Sequence, residues 1–151
     1  MIGDEERYTF SSLMTLLIES ESRLQQLYEA TAQTTRRPEL KSLLSDFAKI
    51  GLKRIETMRR VRVESIVEMM LEPITGLKLS RLLTTTNITV QNEDVSNVEK
   101  LITLERMISD LYAKTSPKIV QISAEAGELL AALSRESAQR ENALERYAEP
   151  T

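Results

Sequence analysis

The chain contains no cysteine and no histidine. The first absence removes disulfides, thiolate nucleophiles and thiolate metal sites, and the second removes the usual imidazole ligand and general base. Most routes to catalysis close there. Glycine and proline are scarce, four of each, so few positions can break a helix. A composition that is 41% hydrophobic and 28% charged then favours long amphipathic helices over strands. The expected class is all-α. Long apolar runs are missing too: nowhere do about eighteen uncharged apolar residues follow one another, which argues against a membrane span. The acidic start, Met1 to Arg7, leads into no apolar segment of signal-peptide type, so a cytoplasmic chain is expected.

What is present suits one domain over residues 1–151, since a chain of this length can remove roughly two-thirds of its surface from water. The net charge of −3 opposes general nucleic-acid affinity. Lys53, Arg54, Arg59, Arg60 and Arg62 form a local basic run, read first as a solvated helix face. A nucleic-acid role through that run ranks last, because its charges are spread round the helix.

Periodicity outlines four helices. The first starts at Thr9 or Ser11, hydroxyl residues able to cap exposed amides, and runs to about Thr34. Arg36-Arg37-Pro38 is a turn, with Pro38 opening the second helix. The pattern of that helix continues through Ile66, Met69 and Met70 to Leu71, with a bend expected near Arg62 and a stop at Pro73. From Pro73 to about Ser96 runs a connection with one apolar knot, Leu77 to Leu83, far longer than the two to eight residues usual between bundle helices. It is read as a crossover joining two parallel neighbours. Ser96 with Glu99 resembles a capping box that starts the third helix, which ends near Ser116-Pro117. The fourth begins at Pro117 or Ser123 and ends before Pro150.

Each helix carries polar residues where its apolar stripe calls for hydrophobes. Glu21 interrupts Leu13, Leu17, Leu24 and Tyr28; Glu105 interrupts Val98, Leu101, Ile108 and Tyr112. Gly51 and Arg54 fall between Phe47 and Met58, and Ser137 and Arg140 between Leu133 and Leu144. The halves therefore repeat: Glu21 and Tyr28 correspond to Glu105 and Tyr112, Gly51 to Ser137, Arg54 to Arg140. An inward carboxylate is costly without a partner. The plain alternatives are that the glutamates lie at the stripe's edge and reach water, and that the arginines snorkel, with stems on apolar surface and heads in solvent. Tyr28 and Tyr112 are read as core aromatics whose hydroxyls find partners. Met58, Met69 and Met70 form a soft patch that packs within the bundle or against a second subunit.

Two helical hairpins, a long crossover and an inward Glu seven residues before a Tyr in each half resemble the rubrerythrin branch of the ferritin-like superfamily, over roughly residues 10 to 148. The resemblance implies a ferritin-like four-helix bundle. In that family each half supplies an inward Glu from its first helix and a Glu-x-x-His from its second, which together hold two metal ions. Glu21 and Glu105 match the first-helix glutamates. The Glu-x-x-His positions read Gly51-Leu52-Lys53-Arg54 and Ser137-Ala138-Gln139-Arg140, so four of six implied ligands are replaced.

In both halves the bridging Glu has become small and the His has become Arg, as follows if a guanidinium fills a metal ion's space. Arg54 and Arg140 are expected to pair with Glu21 and Glu105, with Gly51 and Ser137 making room. The favoured function is a non-catalytic structural or interaction module with no cofactor, homodimeric through the Ile66 to Leu83 region. The alternative is a rubrerythrin-type oxidoreductase binding iron through Glu21 and Glu105, with Glu136 or Glu141 as substitutes. On an ideal helix those two point roughly a quarter-turn or more from the Ser137 and Arg140 direction.

Overall fold

A computed structural model describes residues 6–64, 74–77 and 93–148. Four helices account for nearly all of them: α1 (Phe10–Thr34), α2 (Pro38–Glu64), α3 (Asp94–Ile119) and α4 (Ala124–Glu145). The first starts where its chemistry directs. The Thr9 side chain accepts from the Ser12 amide while Ser12 reaches back to the Thr9 amide, a reciprocal cap that satisfies two otherwise orphaned donors. Pro38 opens α2 with no donor to lose, and Glu39 sits at the positive end of its dipole. Ser123 caps α4 by accepting from the Ala126 amide, which decides between the two starts that the sequence left open.

Two expected boundaries are corrected. The pair Ser96 and Glu99 does not start α3, which begins at Asp94 with Glu93 as its cap residue and no side-chain cap bond. Asp94 is anchored instead: it accepts from the Thr35 hydroxyl at 2.6 Å, and its charge complements the helix N-terminus. Nor does the helix end at Ser116-Pro117, since Pro117 lies within it and Ile119 closes it. So near the end, proline deletes one hydrogen bond only, to the carbonyl of the exposed Ala113.

α1 packs along α2, and α3 along α4, as two antiparallel hairpins; α1 then lies on α3 and α2 on α4. Thr35 at the end of α1 meets Asp94 at the start of α3, so these two helices are antiparallel as well. At the same end, the Arg37 guanidinium stacks over Tyr147 at 4.8 Å and donates to its carbonyl. It follows that α2 and α3 run parallel but occupy opposite corners. The crossover joins diagonal helices, which corrects the expectation that it joins neighbours, because α1 rather than α2 packs on α3.

One part of the crossover is described. Residues Ile74–Leu77 form a strand, β2, antiparallel to β1 (Glu6–Tyr8) just before α1, with Tyr8 opposite Ile74. This short ribbon was not expected from the sequence; Leu77, read as the start of an apolar knot, ends β2. Ile74 and Tyr8 are both buried, so the ribbon pins the crossover to the base of α1 and against α3. The helix α2 runs unbroken through Arg62 to Glu64. Its expected continuation to Leu71, and most of the Ile66 to Leu83 segment, lie outside the described residues, as do Met69 and Met70.

The core is the set of stripes predicted from periodicity. Leu13, Leu17, Leu24 and Tyr28 of α1 and Val98, Leu101, Ile108 and Tyr112 of α3 are all buried, as are Leu40, Leu44, Phe47 and Met58 of α2 and Ala126, Leu130, Leu133 and Leu144 of α4. Each large aliphatic among them stabilises by about 1.5–3 kcal/mol relative to an exposed position. Two close approaches set the helix spacing within hairpins. In the second, the hydroxyls of Ser109 and Ser134 each donate to the other residue's carbonyl at 2.9 Å. In the first, Gly51 lets Gln25 approach. Among the described residues, no helix is long and apolar enough to cross a membrane.

Candidate functional site: a buried carboxylate and guanidinium cluster

Where the apolar stripes are interrupted, the four helices bring six polar side chains together. Glu21 and Glu105 are 1% and 0% exposed, and Arg54 and Arg140 are each 4% exposed. Neither glutamate reaches water, and neither arginine snorkels. Within the first hairpin, Arg54 Nη1 donates to Glu21 Oε1 at 3.3 Å. Within the second, Arg140 Nη1 donates to Glu105 Oε1 at 3.3 Å. A buried carboxylate needs a partner that stays charged, and the guanidinium is the side chain that does.

The tyrosines join the hairpins. The Tyr28 hydroxyl of α1 donates to Glu105 Oε1 on α3, and the Tyr112 hydroxyl of α3 donates to Glu21 Oε1 on α1 at 2.7 Å. Within its own helix each tyrosine stands a rise of about 10.5 Å from the glutamate, and its hydroxyl bonds the opposing helix instead. On an antiparallel partner the same spacing brings each onto the other's glutamate. Each Oε1 thus accepts one charged and one neutral donor.

The symmetry is broken beyond that shell. Arg54 Nη1 also donates to Ser137 Oγ at 3.4 Å, and its Nη2 pairs with the half-exposed Glu136 at 3.5 Å. Arg140 instead lies over the rings of Phe47 and Tyr28, at 5.1 and 5.5 Å, and its Nη2 donates to the Phe47 carbonyl at 3.3 Å. Phe47 and Tyr28 pack edge to face. Gly51, expected to make room for an arginine, faces Gln25: a Cβ there would meet Gln25 Cβ at 3.3 Å. Glu141 is engaged on the surface with Arg106.

Two contacts were not foreseen from the sequence. Glu136 reaches Arg54 from the rim, a contact signalled only by its adjacency to Ser137. The Phe47 carbonyl leaves no trace in residue identity at all. The basic run also divides: Arg54 turns into the core, whereas Lys53, Arg59 and Arg60 are exposed.

Burial dominates the proton affinities. It pushes the Glu105 carboxyl above its usual range, opposed by Arg140 and reinforced by the nearby Glu21 charge. Burial also drives Tyr28 and Tyr112 well above the ordinary phenol range, with Glu105 and Glu21 respectively adding to it, so both hydroxyls stay protonated donors. For Arg140, burial is the largest single influence and works to lower the value, but the charge and hydrogen bond of Glu105 together with the Tyr28 and Glu21 contributions outweigh it and raise it. The cluster balances two negative charges with two positive ones.

This donor set does not fit two metal ions. Both Oε1 atoms are already taken by a hydroxyl and a guanidinium, and the places that the resemblance assigns to Glu-x-x-His hold two cations, a hydroxyl used by Arg54 and a glycine. Among the described residues, no group of three or more acidic side chains could hold a metal ion. Compared with known protein families, curated proteins and solved structures, the chain has no match.

Proposed function

We propose that the chain is a ferritin-like bundle of rubrerythrin type whose two-metal centre has been refilled by its own arginines, and that it serves as a non-catalytic structural or protein-interaction module. One observation carries this reading: Arg54 and Arg140, at the positions corresponding to the family's histidines, are buried with their guanidiniums on the two inward glutamates. A fixed positive charge in a metal's place opposes cation binding by Coulomb repulsion, which is strong where water is excluded. Self-association through the apolar residues between Ile66 and Leu83 is part of the proposal, and sedimentation of the full chain tests it.

The decisive experiment is metal analysis. After incubation with ferrous or manganous ion and desalting, the purified chain should retain far less than one ion per molecule. Stoichiometric iron or manganese would overturn the reading in favour of a metal-dependent oxidoreductase.

A further inference from the structure

Of the large hydrophobic side chains exposed among the described residues, Ile50, Leu52 and Val63 belong to α2 and only Val120 lies elsewhere. Leu52 is 49% and Val63 65% exposed. Eleven residues make about three whole helical turns, so these two point within about 20° of one direction and stand about 16.5 Å apart. Ile50 points elsewhere, about 160° round the helix from Leu52. Between Leu52 and Val63 on the same face stand Glu56 and Arg59, both exposed, which completes a stripe at steps of four, three and four residues. Its order along α2 is apolar, acidic, basic, apolar. Among the described residues neither of its charges is in a salt bridge. Lys53 and Arg60 lie about 70–90° to one side, and Arg60 is bonded to Glu125.

We propose that this stripe is a self-association surface, on which α2 packs antiparallel against α2 of a second copy about a two-fold axis passing midway between Glu56 and Arg59. Across such an axis the contacts are reciprocal: if one residue meets a second on the partner, the second meets the first in return. Leu52 and Val63 are centred on the same point as Glu56 and Arg59. Each copy's Leu52 therefore faces the partner's Val63, and each copy's Glu56 faces the partner's Arg59. The stripe is its own complement in both hydrophobicity and charge. Other occupants answer less of it. A parallel pair of copies would set Glu56 on Glu56 and Arg59 on Arg59, and a nucleic acid would leave Leu52, Glu56 and Val63 unanswered.

The apolar contacts supply the attraction, since ion pairs in contact with water add little strength. What the charges add is direction, because reversing one helix brings like charges together. The inference rests on the self-association part of the proposed function and gives it a surface and a symmetry. It extends onto α2 the segment proposed for that contact, which begins at Ile66, three residues beyond Val63. The refilled metal centre neither requires it nor follows from it.

The test is sedimentation of the full chain across a range of concentrations, where the wild type should show monomer in equilibrium with dimer. Every substituted position is exposed, so the variants keep the core intact. Glu56→Arg leaves only cations at the centre of the interface and Arg59→Glu only carboxylates, and each should weaken dimerisation by about tenfold or more. Mixing those two variants should restore a dimer with one chain of each kind, because every charge then meets its opposite. The double variant Glu56→Arg with Arg59→Glu should dimerise again on its own. Leu52→Ser should weaken the dimer as well. A dimer that both single variants retain, or single variants that dissociate and are not rescued by mixing, overturns this surface while self-association stands. A wild type that stays monomeric at the highest attainable concentration overturns both, and metal analysis still judges the refilled centre separately.

Discussion

Arg54 and Glu21 illustrate what a single buried charge means here. Removing the arginine strands Glu21 with only the Tyr112 hydroxyl, and breaking one side of a buried pair costs about 3–5 kcal/mol. Replacing the charged pair and its tyrosine by hydrophobes leaves no buried charge alone. Arg54→Ala should therefore destabilise more, in denaturant unfolding, than the combined change of Glu21→Leu, Arg54→Leu and Tyr112→Phe; the reverse order would show that the pairing does not govern this site. Glu105 adds a pH dependence whose sign follows from its raised value. The folded chain holds a proton there more tightly than the unfolded chain does, so this contribution to stability is full below the unfolded carboxyl range and is lost as pH rises through the folded value. Relative to Glu105→Gln, which cannot titrate, the wild type should lose stability on going from acid to neutral pH. A difference that grows with pH would contradict the assigned direction. The inward residues themselves were legible as breaks in an apolar stripe. Their tyrosine partners were not, because each tyrosine bonds a glutamate on the opposing helix, 77 and 91 residues away in sequence.

At the level of the elements, the helices whose ends rest on a local residue were readable to within a choice: Thr9, offered with Ser11, and Ser123, offered with Pro117, cap by their own hydroxyls, and Pro38 needs no donor. The start of α3 was misread because what anchors it, the Thr35 hydroxyl on Asp94, comes from 59 residues away. The ribbon of β1 and β2 was missed for the same reason, its partners being distant in sequence and only three and four residues long. Glycines follow a similar rule. Where the first turn of α4 packs on the end of α3, a Cβ on Gly127 would stand 2.7 Å from Val120 Cα, and Ser116 donates to the Gly127 carbonyl at 2.7 Å, so backbone rather than a movable side chain blocks the space. Gly51 would meet only Gln25, and alanine there gains up to about 1 kcal/mol of helix propensity. We expect Gly127→Ala to lower stability by about 1–3 kcal/mol, as overpacking does, and Gly51→Ala to cost clearly less or to stabilise. Thermal melts of the two variants decide it; equal losses would mean that the turn can open to admit a methyl group.

Over the whole molecule, two hairpins with extensive internal packing meet along α1 with α3 and α2 with α4, and the polar cluster lies across that junction. The internal repeat in the sequence foreshadowed a matched pair of sites but not that each half would complete the other. Tyr28 serves Glu105 and Tyr112 serves Glu21, so the halves are interlocked rather than merely stacked. A hydrogen bond to a charged group contributes about 1.5–3 kcal/mol, and Tyr28→Phe and Tyr112→Phe should each cost about that much, since the rings remain and each glutamate keeps its arginine. The two losses should not add. Once one hydroxyl is gone the junction loosens around both carboxylates, so the second substitution removes less than it would alone, and groups in one network characteristically couple by about 0.5–3 kcal/mol. A double-mutant cycle measured by denaturant unfolding reads this directly. Additivity within about 0.5 kcal/mol would mean two independent links that happen to be related by the repeat, and the picture of a single network spanning the bundle would have to be given up.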